Sequence, residues 1–143
     1  MRTGRLVVGT VLVGSMLGGC GSSPAPKAAA PSTVAGVGKV TVASDGAQQV
    51  TIQTQDDYVF TPKQFTVKPG RVRLTVVNVA TQLTHNFRFT PGKGPEEITA
   101  GIPLLAPGER KTIEFSVTKP GAYGFECSFH IQLGQVGTMT VSG

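Results

Sequence analysis

Short runs in which apolar and polar residues alternate recur along the chain from Lys39 to its end. Val40 and Val42 alternate with polar neighbours, as do Val50 and Ile52, and Phe65 and Val67 just before the turn signal Lys68-Pro69-Gly70. Val72, Leu74 and Val76 follow the same period. Ile113, Phe115 and Val117 do so between Ala106-Pro107-Gly108 and Lys119-Pro120-Gly121. Tyr123 and Phe125 lead to Cys127, and Val136 to Val141 closes the chain. A period of two places every second side chain on one face of a strand. Several such runs, punctuated by Gly and Pro, predict an all-β sandwich or barrel. No stretch carries the 3.6-residue period of an amphipathic helix. Pro91 to Pro103 shows neither period and reads as a loop-like insert.

The first residues follow a different pattern. Arg2 and Arg5 precede an apolar stretch, Leu6 to Leu17, that is too short to span a bilayer and ends in Leu17-Gly18-Gly19-Cys20. Residues 1–19 read as a secretory signal peptide, and their end resembles the lipobox of bacterial lipoproteins. That resemblance makes Cys20 the lipidated N-terminus of a protein held on the extracytoplasmic, periplasmic side of the cell membrane. Residues 20–38, rich in Ser, Pro, Ala and Gly, read as a flexible tether, with an r.m.s. span of roughly 23 Å for Gly21 to Gly38. Residues 39–143 form the domain.

Charge narrows the partners. Without Arg2 and Arg5, eleven basic residues face eight acidic ones, a net of +3. They are scattered with no basic run, so no nucleic-acid footprint is expected, and the domain reads as a monomer.

Cysteine usage then points to chemistry. With Cys20 lipidated, Cys127 has no partner for an internal disulfide, so it is a reactive thiol or a metal ligand. It lies three residues before His130, and the chain has only one other histidine, His85. Two imidazoles and a thiolate, with a weak axial donor, are the ligand set of a type 1 copper site. Taken alone, His85 reads as a core histidine and Cys127 as a buried structural thiol; taken together they read as ligands. Gln135 occupies the axial slot, with Gly134 and Gly137 on either side, although a polar residue near a hairpin tip is also commonplace. Met139, alternating with Thr138 and Thr140, belongs to the core instead.

From Tyr58 to Val141 the chain resembles the cupredoxins. The matching motifs are Phe60-Thr61-Pro62-Lys63, Phe65-Thr66-Val67-Lys68-Pro69-Gly70, Val77-Asn78, His85-Asn86, Ala106-Pro107-Gly108-Glu109, Cys127-x-x-His130 and Gly134-Gln135-Val136-Gly137, in that order. The resemblance implies a Greek-key β-sandwich holding one type 1 (blue) copper ion for electron transfer, with His85, Cys127, His130 and Gln135 as ligands. It implies that Asn86 hydrogen-bonds across to the Cys127 loop and that the Thr84 carbonyl is a distant axial neighbour. Gln135 departs from the commoner Met and matches stellacyanin-like proteins, which implies a lower reduction potential. Ile131 and Leu133, beside His130, offer an apolar docking patch for a redox partner protein, or simply pack the loop.

The inventory excludes several relatives. Two histidines leave none for the second copper centre of a multicopper oxidase, and one domain cysteine cannot make a binuclear thiolate-bridged centre. Met139 alone is no methionine-rich carrier, and Glu96-Glu97 reads as a solvated loop pair. No oxyanion-stabilising motif accompanies Cys127, so no enzyme is expected. Two alternatives to electron transfer stay open. One is a copper-binding or delivery lipoprotein without redox traffic; the other is a zinc-loaded or metal-free β-sandwich serving as an interaction module.

Overall fold

The computed structural model describes residues 33–143; the signal segment 1–19, Cys20 and the tether as far as residue 32 lie outside them. Ten strands form two five-stranded sheets. In chain order they are β1 (Thr41–Val42), β2 (Gln48–Thr54), β3 (Phe60–Thr61), β4 (Gln64–Val67), β5 (Gly70–Asn78), β6 (His85–Phe89), β7 (Gly101–Leu105), β8 (Arg110–Val117), β9 (Gly121–Glu126) and β10 (Val136–Val141). The first sheet runs β1-β2-β5-β8 with β3 paired to β2, and the second runs β4-β10-β9-β6-β7. β2 with β5 and β4 with β10 are parallel pairs, and the other pairs are antiparallel. The all-β sandwich expected from the alternation is therefore the fold.

The alternating side chains meet between the sheets. Ile52, Leu74, Phe60, Phe87, Phe125 and Met139 are fully or almost fully buried. Burial of each contributes about 2 kcal/mol. Phe125 sits at the centre, its ring centroid 5.4 Å from Phe60 and 5.3 Å from Phe87. β10 can pass beneath it only because residue 137 is glycine. A Cβ there would fall 2.3 Å from the Phe125 ring and 2.6 Å from the Lys63 carbonyl oxygen.

Four features differ from the sequence expectation. Val42 is 71% exposed, on β1, a two-residue strand at the edge of its sheet. The insert Pro91–Pro103 ends in a strand, β7, despite its proline. β7 is an edge strand, and its register against β6 slips between His85↔Leu105 and Phe87↔Ile102. A proline without an N–H is tolerated at an edge and at such a bulge. Glu96 is not idle: its carboxylate accepts the Thr118 and Lys119 amides and the Tyr123 hydroxyl, tying the insert to the β8–β9 turn. Hydrogen bonds to the domain also begin before Lys39, where the Val34 amide donates to Gln53 Oε1 and the Gly38 amide to the Thr51 carbonyl.

Candidate metal centre

His85 opens β6, while Cys127 follows the last residue of β9, and His130 and Gln135 lie on the turn that joins β9 to β10. Two antiparallel strands bring this turn back on itself. The Cys127 amide donates to the Gln135 carbonyl at 3.0 Å, directly above the Val136↔Glu126 pair. A short 3-10 helix, Ile131–Leu133, carries the chain from His130 to Gly134. Gly134 adopts φ 83°, a left-handed conformation that glycine takes without strain, and this turns Gln135 inward.

The result is a convergence of four donor atoms. Cys127 Sγ lies 3.5 Å from His130 Nδ1 and 3.9 Å from His85 Nδ1. Gln135 Oε1 lies 2.9 Å from His85 Nδ1 and 3.1 Å from His130 Nδ1. The His and Cys donors all fall within 4.8 Å of one another. Donors sharing one ion at bond lengths of about 2.0–2.3 Å stand apart by distances of this order. His85, Cys127 and Gln135 are fully buried and His130 half-buried. All four residues singled out in the sequence are thus brought together.

The hydrogen bonds around His85 show that the cluster suits a cation. His85 Nε2 is 3.0 Å from the Gln55 carbonyl oxygen, which can only accept, so Nε2 carries the proton. Burial lowers the His85 pKa below its ordinary value, with His130 pushing the same way and the Gln135 and Gln55 contacts opposing; in the neutral ring the proton on Nε2 leaves Nδ1 bare. Its Nδ1 is then a lone pair, and it faces another acceptor, Gln135 Oε1. The amide nitrogen of Gln135 points elsewhere, donating to Thr54 Oγ1 at 2.6 Å. A proton or a metal ion satisfies two such atoms at 2.9 Å, and with the Cys127 sulfur and the His130 ring beside them the set is one that a metal ion can use.

Asn86 and the Cys127 sulfur meet as well. The Asn86 amide donates to Cys127 Sγ at 3.4 Å, and its side chain makes two bonds to Ser128, from Nδ2 to Oγ at 2.6 Å and from the Ser128 amide to Oδ1 at 2.7 Å. Thr84 lies half-buried immediately before β6. On the outer side of β9, the Glu126 carboxylate accepts both Arg88 Nε and Nη2, at 2.8 and 2.6 Å, and the Thr90 hydroxyl at 2.8 Å. The residue preceding Cys127 is therefore fixed.

Several contributors were assigned no role at the site from the sequence, although Val77-Asn78 was among the matching motifs. Asn78, buried at the end of β5, donates to the Leu83 and Leu105 carbonyls and so supports the turn that leads into His85. From outside, the Asp56 carboxylate accepts the amides of Thr81, Gln82 and Leu83, and these bonds hold its pKa at about 2. Two residues on, Tyr58 adopts φ 57° and sets its ring edge-on against His130, with centroids 4.9 Å apart. The loop Gln55–Val59 thus touches both imidazoles, yet contributes no donor to the cluster. Only its polar Gln55-Asp56-Asp57 run marks it as a turn; partners 25 or more residues away leave no local pattern.

Around the exposed edge of His130 the surface is apolar. Ile131 is 37% and Leu133 59% exposed, and Phe129 and Val136 join them at 51% and 45%. The last two were not anticipated, since Val136 reads as an ordinary strand residue.

The family model described as copper binding proteins of the plastocyanin/azurin family matches residues 47–142. Plastocyanin of Nostoc punctiforme is 35% identical over 92 residues, which cover 59% of this chain and 65% of that protein's length. The minor chloroplastic plastocyanin of Arabidopsis thaliana is 30% identical over 131 residues, covering 81% of this chain and 75% of that one. Among solved structures, the dithionite-reduced auracyanin of the photosynthetic bacterium Roseiflexus castenholzii superposes with a TM-score of 0.58. It is 26% identical, with 66% of this chain and 97% of that chain covered.

Proposed function

This chain belongs to the plastocyanin/azurin family of copper-binding proteins, and from that membership we propose that it is a one-electron carrier built on a single type 1 copper ion. His85, Cys127 and His130 would hold the ion, with the Gln135 amide oxygen as axial donor. Bound copper supplies a one-electron redox couple. The observation that carries the reading is the convergence of His85, Cys127 and His130 ligand atoms within 4.8 Å of one another, with Gln135 Oε1 2.9 Å from His85 Nδ1 and 3.1 Å from His130 Nδ1.

The residues around the cluster suit electron transfer better than metal delivery. Three of the four donors are tied to a further partner outside the cluster: His85 to Gln55, Gln135 to Thr54, Cys127 to the Asn86 amide. A site held this firmly needs little rearrangement on a change of charge. Burial of Cys127, His85 and Gln135 hinders hand-over of the ion to another protein. His130 is the only donor residue with an exposed edge among the four, and Phe129, Ile131, Leu133 and Val136 around it form the surface on which a redox partner protein would dock.

The protein would work at the outer face of a membrane. The basic n-region, the short apolar run and Leu17-Gly18-Gly19-Cys20 support export and lipid attachment at Cys20. Among the described residues no helix is long and apolar enough to cross a membrane. Visible absorption of the copper-loaded protein, followed by voltammetry, tests the proposal. An intense visible band with a reversible one-electron wave is expected. A colourless copper complex would remove the type 1 reading, and a coloured but electrochemically inert one would favour delivery.

A further inference from the structure

Thr54 is the last residue of β2 and is completely buried. Its backbone is pinned on three sides. It pairs with Asn78 of β5 and with Phe60 of β3, and its carbonyl accepts the Val79 amide at 2.8 Å. Its hydroxyl is 2.6 Å from Gln135 Nε2, eighty-one positions away in sequence, and this bond joins the first sheet to the β9–β10 turn of the second.

An amide side chain has two ends of similar size and opposite chemistry. The oxygen can bind a cation; the NH2 group has no lone pair to offer and presents its hydrogens instead. A hydroxyl can donate or accept; here Thr54 Oγ1, on a rigid strand end, accepts from Nε2, and that leaves Oε1 facing His85 and His130. We infer that Thr54, by holding Nε2, is the positioning residue that keeps Gln135 Oε1 on the metal side. The inference rests on the reading of Gln135 as axial ligand and extends it: the axial donor is set by a pair of residues, one at a strand end of the first sheet and one on the β9–β10 turn of the second.

The chemistry of the alternatives is clear. Without the hydroxyl, the Gln135 NH2 group is buried with no acceptor, a costly state. The amide then turns over or withdraws, and either movement takes the hard oxygen away from the metal. Loss of that donor weakens the oxidised ion relative to the reduced one, so the reduction potential rises. Valine has the shape of threonine without its oxygen, so Thr54→Val removes the bond and leaves the space filled.

The test is voltammetry of copper-loaded wild type, Thr54→Val, Thr54→Ser, Gln135→Met and the double variant Thr54→Val/Gln135→Met, at one pH and ionic strength. Thr54→Val should shift the Cu(II)/Cu(I) equilibrium toward Cu(I) by at least tenfold, which is about 59 mV for one electron. Thr54→Ser should stay near wild type, because it keeps the hydroxyl. Adding Thr54→Val to Gln135→Met should change nothing further, since no amide remains to orient. If Gln135→Met moves the potential and Thr54→Val does not, the positioning role is wrong while the axial reading stands. If Gln135→Met leaves the potential where it was, the axial reading itself fails. An equal shift from Thr54→Val in both backgrounds would mean that Thr54 acts by another route, and would also overturn the proposal. Should Thr54→Val not fold, Thr54→Ala carries the same comparison.

Discussion

Asn86 and Ser128 hold each other twice, through Nδ2 to Oγ at 2.6 Å and through the Ser128 amide to Oδ1 at 2.7 Å. The β6/β9 ladder ends with Arg88 opposite Glu126, and the same register carried two residues further sets Asn86 against Ser128. The asparagine side chain takes over where backbone pairing stops. It therefore joins the residue after His85 to the residue after Cys127.

Removing that link should loosen the donor cluster before the metal arrives. Asn86→Ala leaves the Ser128 amide without its partner and should cost roughly 2 kcal/mol. Denaturant unfolding of the metal-free protein measures it. A midpoint equal to wild type would show that the two segments are held by their strands alone.

Cys127→Ser should keep the fold and lose the colour. Serine fills nearly the same space in the buried site but offers no thiolate, so the visible charge-transfer band should vanish even if copper still binds. Absorption spectra of both proteins at equal copper occupancy decide this. A surviving blue band would exclude Cys127 as the ligand.

Gln135→Met replaces an amide oxygen with a thioether and should raise the reduction potential while copper is retained. The expected rise is one to a few steps of about 59 mV, each a tenfold change in equilibrium. A potential that falls would contradict an oxygen donor at this position.

Asp56 gives the protein an acid sensitivity of known sign. Its carboxyl titrates at about 2 when folded against 3.8 in the free group, mainly because the Thr81 amide donates to it. A depressed folded pKa stabilises the fold fully above the free value. The contribution shrinks as pH falls from 3.8 toward 2 and is gone below the folded pKa. The stability gap between wild type and Asp56→Ala, followed by urea unfolding of the metal-free protein across that range, should therefore narrow with acid. A constant gap would show that the Asp56 contacts with Thr81, Gln82 and Leu83 do not depend on its charge.

Replacement of Cys20 by Ser should release the protein from membranes. Wild type is expected to fractionate with membranes, with lipid mass on its N-terminus; more than one acyl chain is expected for stable anchoring. Cell fractionation with mass spectrometry of the N-terminal peptide reads this directly. Wild-type protein wholly in the medium and without lipid would remove the anchor.

The sequence was most legible where physics is local. Alternation located most strands because each buries one face, and it placed Met139 in the core, where it is fully buried. The Cys127 to Gln135 segment was legible because its donors are close in sequence. His85 could be joined to it only because the chain holds so few histidines. The seats of the donors were not legible. Thr54 is one threonine among many, and its role depends on a partner eighty-one positions away on the β9–β10 turn. Asp56 and Tyr58 look like ordinary turn residues, yet one tethers the approach to His85 and the other packs on His130. β7 was missed because a proline masked it, and the bulge that admits Pro103 is a property of pairing rather than of the strand itself.

The closure of the Cys127–Gln135 turn has a practical side for protein engineering. Its two ends meet at the 3.0 Å bond between the Cys127 amide and the Gln135 carbonyl, so the segment can be cut out and grafted onto another pair of strands as a cassette. Three of the four donor atoms would travel with it. Thr54 and Tyr58 would stay behind on the donor scaffold. A recipient whose equivalent strand ends in a residue without a hydroxyl would inherit the glutamine without the means to aim it.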